Sequence, residues 1–214
     1  ISSNASHLKK YTRQVLESGL TELVVAVDGA TEETYKQYRI GGNFTEVIDG
    51  IKAFVQEKKK RNMKYPNVIF QFIVMKHNEH ETDAVITLAK NLEVDHLIFK
   101  RASLMDNTRD LKVQGLLRKR FLPTAARFVR KSFQPGKVDP CRWAFGAMIL
   151  QDGRITSCCY DWDGKYNKGS VISQPFKKVF QSREYTQMRK QIIGQKLDIC
   201  KNCDYNTQVT ERIF

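Results

Sequence analysis

Cysteine is missing from the first 140 of the chain's 214 residues, and all five cysteines fall in the remainder. An odd number so confined, with no secretory signal ahead of it, argues against the disulfide framework of a small secreted protein. No apolar run approaches the length that spans a bilayer. No charged segment followed by an apolar one opens the chain. The sequence therefore reads as soluble and cytoplasmic, with no membrane partner. An initiator methionine is also missing. The opening "ISSNASHLKK" reads as the end of a strand running into a loop and a helix, which is what a fragment shows. There is no internal repeat and no low-complexity segment, so the length points to one large domain or two small ones.

Acidic residues are scarce beside basic ones, 23 against 36, for a net charge of +13. Such a balance suits nucleic acid or an anionic surface, and equally a solvated lysine-rich face. Much of it comes from "EKKKRNMK" (57–64) and "LKVQGLLRKRFLPTAARFVRKSF" (111–133). The first lies where a helix ends, and cations there complement the helix dipole. The second reads as a helix broken near Pro123. Neither carries a known nucleic-acid motif, which favours the solvated face over nucleic acid as partner.

What is present in the first half is an alternation of strand and helix. Leu8, Tyr11, Val15 and Leu16 follow helical spacing over 6–20, with Gly19 placed to cap the end. "TELVVAVDG" (21–29) is apolar almost throughout, as a strand buried on both faces requires. Thr31 suits an N-cap for a short helix reaching Arg39. Phe44, Val47, Ile48, Ile51, Phe54 and Val55 form an amphipathic stripe on the next helix. "PNVIFQFIVM" (66–75) and "DHLIFKRAS" (95–103) read as strands, with a helix over 80–94 between them. This order predicts βαβ units and a parallel sheet, whose chemistry lies at the strand C-termini. Asn4, Asp28 with Gly29, and Asn78 fall on that rim. Each also has a plain structural role open to it as a turn or cap residue. His77 and His80 read as exposed polar residues, and Arg39-x-Gly41-Gly42 as a loop able to hold a carboxylate or phosphate.

Residues 104–139 read as a polar, basic connector with helical patches, and Pro135, Gly136 and Pro140 mark a boundary. Beyond it, "AMILQDGRITSC" predicts a hairpin turned at Asp152-Gly153, and 176–193 predicts one helix. Cys200-x-x-Cys203 can place two thiolates on one metal or cluster. The hairpin supplies a third from Cys158 or Cys159, and Cys141 a fourth. On a strand these neighbours point to opposite faces, so one is expected to ligate and the other to pack. Four thiolates suit structural zinc or an iron–sulfur cluster, and the spacing does not choose.

Together the halves resemble a known family. "CRWAFGAMILQDGRITSCCYDWDGKYNKGSV" followed by "CKNC" is similar to the SPASM/twitch module of radical S-adenosylmethionine (SAM) enzymes: Cys141, Gly153-x4-Cys158, then Cys200-x2-Cys203. "SSNAS" and "LVVAVDGATEETYKQYRIGGNF" look like strand ends of the radical SAM barrel. The resemblance implies an α/β fold: the C-terminal part of a partial (βα)6 barrel (1–134, about strands three to six and a connector), followed by a small α+β SPASM/twitch module with a hairpin (135–214). It implies an auxiliary [4Fe–4S] cluster on Cys141, Cys158, Cys200 and Cys203, and SAM or substrate near Asn4, Asp28 and Asn78. The intact enzyme would carry SAM on a second [4Fe–4S] cluster and abstract a substrate hydrogen through a 5′-deoxyadenosyl radical. Its partners would be a peptide, sugar or small-metabolite substrate and a reductase or electron carrier. The Cys-x3-Cys-x2-Cys loop for that second cluster is absent from these residues, so this chain alone is expected not to cleave SAM. Ala26 stands where the family has serine, and Ala5 where it has glycine. The contrasting expectation is a four-cysteine, zinc-stabilised binding module for an acidic partner or nucleic acid.

Overall fold

Strand formation begins almost at the first residue. In a computed structural model describing residues 1–103, 111–128, 141–201 and 210–214, β1 (Ser2–Ser3) lies parallel to β2 (Glu22–Ala26), β2 to β3 (Asn67–Val74) and β3 to β4 (His96–Arg101). The strand reading of "ISSN" holds. Between strands run α1 (Leu8–Glu17), α2 (Glu32–Tyr38), α3 (Phe44–Lys60) and α4 (Thr82–Asn91). The chain divides into two compact units, 1–131 with 208–214, and 132–207.

The first unit is an α/β layer built on near-continuous apolar strands. Leu23 and Val25 on β2, Val27 just past it, and Val68, Phe70, Phe72 and Val74 on β3 are buried. They share one core with Leu8 and Leu16 of α1, Val47, Ile51, Phe54 and Val55 of α3, and Val85 and Ala89 of α4. Each of the larger side chains contributes about 1.5–3 kcal/mol by leaving water. The helix signals hold locally too. Thr31 Oγ1 accepts the Thr34 amide, Asn43 Oδ1 accepts that of Glu46, and Gly19 takes the left-handed conformation just past α1. Gly50 lets α3 approach the start of α1: a Cβ there would lie 3.4 Å from the Lys9 amide nitrogen.

The basic run at the end of α3 is largely paired. Lys58 Nζ meets Asp95 at 2.7 Å, Lys59 meets Glu93 at 2.7 Å, and Arg61 meets Glu57 and Glu17 at 2.6 and 3.1 Å. Asp95 Oδ2 also accepts the Val68 amide, so Lys58 helps hold the starts of β3 and β4 in place. Among the described residues no helix is long and apolar enough to cross a membrane.

Further along, α5 (Leu111–Phe121) ends before Pro123, as expected of the connector. A 3-10 turn (Ala126–Phe128) follows and buries Phe128 against Phe99. Glu79 fastens this connector. Its carboxylate accepts the Thr124 amide and hydroxyl, both at 2.6 Å, and the Ala125 amide at 2.8 Å. The expected boundary at Pro135, Gly136 and Pro140 lies outside the described residues.

The second unit contains a hairpin of β5 (Met148–Ile149) and β6 (Ile155–Thr156). Gly153 turns it with φ +77°, and its amide donates to the Leu150 carbonyl. The expected single helix over 176–193 is two, α6 (Phe176–Phe180) and α7 (Arg183–Ile193). Ser182 interrupts it. Its backbone is extended, and its hydroxyl accepts the Tyr185 amide as the N-cap of α7. A short helix, α8 (Asp198–Lys201), carries Cys200.

The chain end departs from the expected 135–214 module. Residues Thr210–Arg212 form β7, antiparallel to β4, and extend the first unit's sheet. A forked Arg127–Glu211 pair at 2.6 and 2.7 Å secures that strand, and Ile213 and Phe214 pack on the core. An edge strand offers unpaired backbone groups, and the last residues satisfy those of β4. Spacing within a tail cannot reveal such a return.

A prediction concerns Glu79. Burial would raise its pKa, but the hydrogen bonds from Thr124 and Ala125 prevail and hold it below the ordinary carboxylate range. Its contribution to stability is therefore present above the unfolded pKa and is lost as pH falls through the folded one. Glu79→Gln is expected to destabilise by on the order of 0.5–1.5 kcal/mol at neutral pH, because solvent screens these mostly exposed bonds. The difference from the parent should shrink below about pH 4, as followed by urea denaturation at several pH values.

Candidate functional site

The rim of the first unit is built where β2 and β3 end. Asp28, buried just past β2, accepts the Ile73 amide at 2.8 Å through Oδ1. Through Oδ2 it accepts Arg39 Nε at 2.7 Å and pairs with Nη2 at 2.5 Å. Burial pushes the Asp28 carboxyl up, with Arg39 and the Ile73 amide pulling the other way. Asn78 is wholly buried. Its Nδ2 donates to the Asp28 and Ile73 carbonyls, both at 3.0 Å, and its Oδ1 accepts the Met75 amide at 2.7 Å. Asp28 and Asn78 thus meet each other across two strand ends. Asn4 does not join them; it is exposed at the end of β1 and accepts the Ser6 amide.

Arg39-x-Gly41-Gly42 holds a carboxylate as its reading allowed, and that carboxylate is the chain's own Asp28. Both neighbouring glycines are sterically required. A Cβ on Gly29 would lie 2.4 Å from the Tyr35 amide nitrogen, and one on Gly42 would lie 2.8 Å from the Tyr35 ring. Glu81 was not singled out by sequence, although it is central here. It is buried, and it accepts the Ala30 amide and the hydroxyls of Thr31 and Thr34, clasping the start of α2. An acidic residue at a helix start was the available signal, but its partners are some fifty residues away. His77 also differs from its reading as an exposed residue. It is half-buried, its Nε2 is enclosed without a hydrogen-bond partner, and burial lowers its pKa. His80 is exposed.

Ala5, just past β1, takes φ +59° while buried. The backbone there has the left-handed form that glycine accommodates without strain.

The second unit gathers the cysteines around its own core. Ala144, Ile155, Val179, Tyr185, Met188, Ile192 and Leu197 are buried together, and Cys141 and Cys200 both pack against them. Cys141 leads into a 3-10 turn (Arg142–Phe145), where its carbonyl accepts the Ala144 amide. The strand premise for Cys158 and Cys159 does not hold. β6 ends at Thr156, and the two cysteines lie in the loop beyond it, where the Cys158 carbonyl accepts the Asp161 amide in a turn. Alternation across a sheet therefore cannot separate their roles. Cys158 Sγ accepts the Tyr160 amide at 3.4 Å. Bonds of this kind stabilise and tune metal-bound thiolates. All four described cysteines are half-buried, and Cys203 lies outside the described residues.

Asp161 fixes this loop from below. It is buried, accepts the Thr156 hydroxyl at 2.5 Å and the Tyr166 amide at 3.1 Å, and burial raises its pKa. Its place in "CCYDWD" was part of the resemblance, but its partners were not legible there. Among the described residues, no three His, Cys, Asp or Glu side chains form a group able to hold one metal ion. The chemistry of a cysteine donor set fits an iron–sulfur cluster, as it fits structural zinc.

Residues 141–204 match the SPASM family, an iron-sulfur cluster-binding domain. Among solved structures, native anSMEcpe with bound AdoMet and Kp18Cys peptide aligns with a TM-score of 0.56 at 12% identity, over 95% of this chain and 62% of that one. The hexahistidine-tagged form of anSMEcpe with bound AdoMet gives 0.56 and 12%, over 95% and 59%. The chain thus spans about three-fifths of the length of these structures. A comparison with curated proteins finds no match. The fold read from the sequence is borne out: the chain shares the α/β fold of these structures, and residues 141–204 match the SPASM domain.

Arg39 provides the prediction for the rim. Because burial raises the Asp28 pKa, that group's contribution is fully present below its unfolded pKa and is lost as pH rises through the folded one. Arg39 opposes this loss. Arg39→Met should therefore cost about 3–5 kcal/mol at neutral pH and less in acid, where Asp28 becomes neutral. Adding Asp28→Asn should recover part of the neutral-pH loss, measured by denaturation from about pH 4 to pH 8.

Proposed function

We propose that this chain is the C-terminal portion of a radical SAM oxidoreductase or modifying enzyme, acting in the cytoplasm, and that it holds an auxiliary [4Fe–4S] cluster and helps bind substrate. The observation that carries this reading is the SPASM match over 141–204, which spans Cys141, Cys158, Cys200 and Cys203. In the intact enzyme, SAM bound at a second [4Fe–4S] cluster would supply the hydrogen-abstracting 5′-deoxyadenosyl radical.

The residues here have narrower tasks. Cys141, Cys158, Cys200 and Cys203 supply thiolates, and the Tyr160 amide tempers the charge on Cys158. Asp28, Arg39 and Asn78 hold the ends of β2 and β3 in one arrangement, so that loops beyond them present a defined surface to SAM or substrate. With Asn78 wholly buried and engaged on both amide atoms, its part is to shape that surface. Asn4, exposed on the same rim, can contact a ligand directly. The substrate class is a peptide, sugar or small metabolite, and anSMEcpe itself is seen with a peptide. A reductase or electron carrier would serve the intact enzyme. Taken alone, these residues lack the Cys-x3-Cys-x2-Cys loop and are expected not to cleave SAM.

Anaerobic reconstitution tests the reading through iron content, sulfide content and visible absorption. The parent chain should become coloured with matching iron and sulfide; a colourless protein with one zinc would overturn the proposal. Cys158→Ala is expected to abolish cluster retention, while Cys159→Ala should largely spare it. The reverse result would transfer the ligand role to Cys159.

A further inference from the structure

We propose that Tyr185 is a positioning residue for the cluster, its hydroxyl setting the Cys141-bearing segment against the Cys158-bearing loop. This rests on the cluster reading above and deepens it.

Tyr185 lies in the first turn of α7 and is fully buried. Its ring packs on Phe180 at 5.2 Å, with the Arg189 guanidinium 4.7 Å from the ring centre. Phenylalanine could supply that packing, so the hydroxyl needs a separate explanation. A buried hydroxyl is costly unless bonded. All three of its partners belong to the two cysteine-bearing segments. It accepts Ser157 Oγ at 2.9 Å, donates to the Gly146 carbonyl at 3.0 Å, and lies 3.3 Å from the Thr156 carbonyl.

These partners stand close to the thiolates along the chain. Ser157 directly precedes Cys158. Gly146 closes the 3-10 turn that Cys141 opens, and its amide donates to the Trp143 carbonyl. On its far side, Cys158 is held by the Asp161 turn, whose carboxylate returns to Thr156. Cys158 is thereby pinned before and after, and Tyr185 is the member that reaches across to the Cys141 segment. The same helix continues to Ile192, in the core that Cys200 borders. Groups that orient ligands from behind typically change metal affinity 10–100-fold when removed, and they shift potentials.

The test uses Tyr185→Phe and Ser157→Ala, which delete the same bond from opposite sides. Val179→Ala serves as control, because it thins the same core without a hydrogen bond to either segment. After anaerobic reconstitution, cluster loss to a chelator, the midpoint potential and the paramagnetic resonance signature of the reduced cluster are measured. Both test variants should lose the cluster about tenfold faster than the parent, with a shifted potential and signature. The control should lower thermal stability while keeping the parent's potential and signature. If Tyr185→Phe does not fold, Tyr185→His, which keeps a ring and a polar atom, is measured in its place, and parent-like kinetics, potential and signature in it and in Ser157→Ala overturn the proposal. Variants with the parent's chelator kinetics, potential and signature would overturn the proposal and leave the cluster reading intact. A parent without iron and sulfide would overturn both.

Discussion

A carboxylate taken out of water needs a cation and hydrogen bonds, and the end of β2 is organised by that need. Asp28 is enclosed where the strand stops, and its two oxygens are answered by Arg39 and the Ile73 amide. Meeting the requirement draws the loop after α2 back over the strand end and fastens β2 to β3. Asn78 completes the fastening through carbonyls on both sides, and Glu81 extends it to the start of α2. A buried pair of this kind is poor evidence of net stabilisation. What it provides is a single arrangement, since removing any member leaves another buried polar group without its partner.

The second unit solves a related problem on a smaller scale. Its apolar core is modest, and its cysteines come from three segments far apart in sequence. One helix, α7, connects them: its Tyr185 hydroxyl reaches the first two segments, and its later residues pack in the core beside the third. Polar side chains set the local geometry here more than apolar burial does. Asp161 and Tyr185 each gather several donors or acceptors from the loops around Cys158.

Local rules read most of the elements correctly because those elements answer to local physics. The apolar run of "LVVAV" had to be buried on both faces, Thr31 had an amide to cap, and Gly153 had a turn to make. Where the reading departed, a longer-range interaction or a competing cap intervened. Ser182 offered α7 an N-cap and split one expected helix in two. β6 stopped before the cysteines, so alternation across a strand had no bearing on them. His77 was enclosed by a rim that its own neighbours in sequence do not reveal.

The sequence by itself determined the alternating strands and helices, the hairpin at Asp152-Gly153, and the cysteine spacing that led to the family. Each depends on period, backbone propensity or ligand spacing, all of which are written along the chain. Only the tertiary structure decided what Asp28, Asn78 and Glu81 bind, that Tyr185 joins two cysteine-bearing segments, and that residues 210–212 return to the first sheet. Those outcomes depend on which buried polar groups and strand edges come to face one another. The chain settles that only on folding, when every such group must find a partner from whatever distance in sequence.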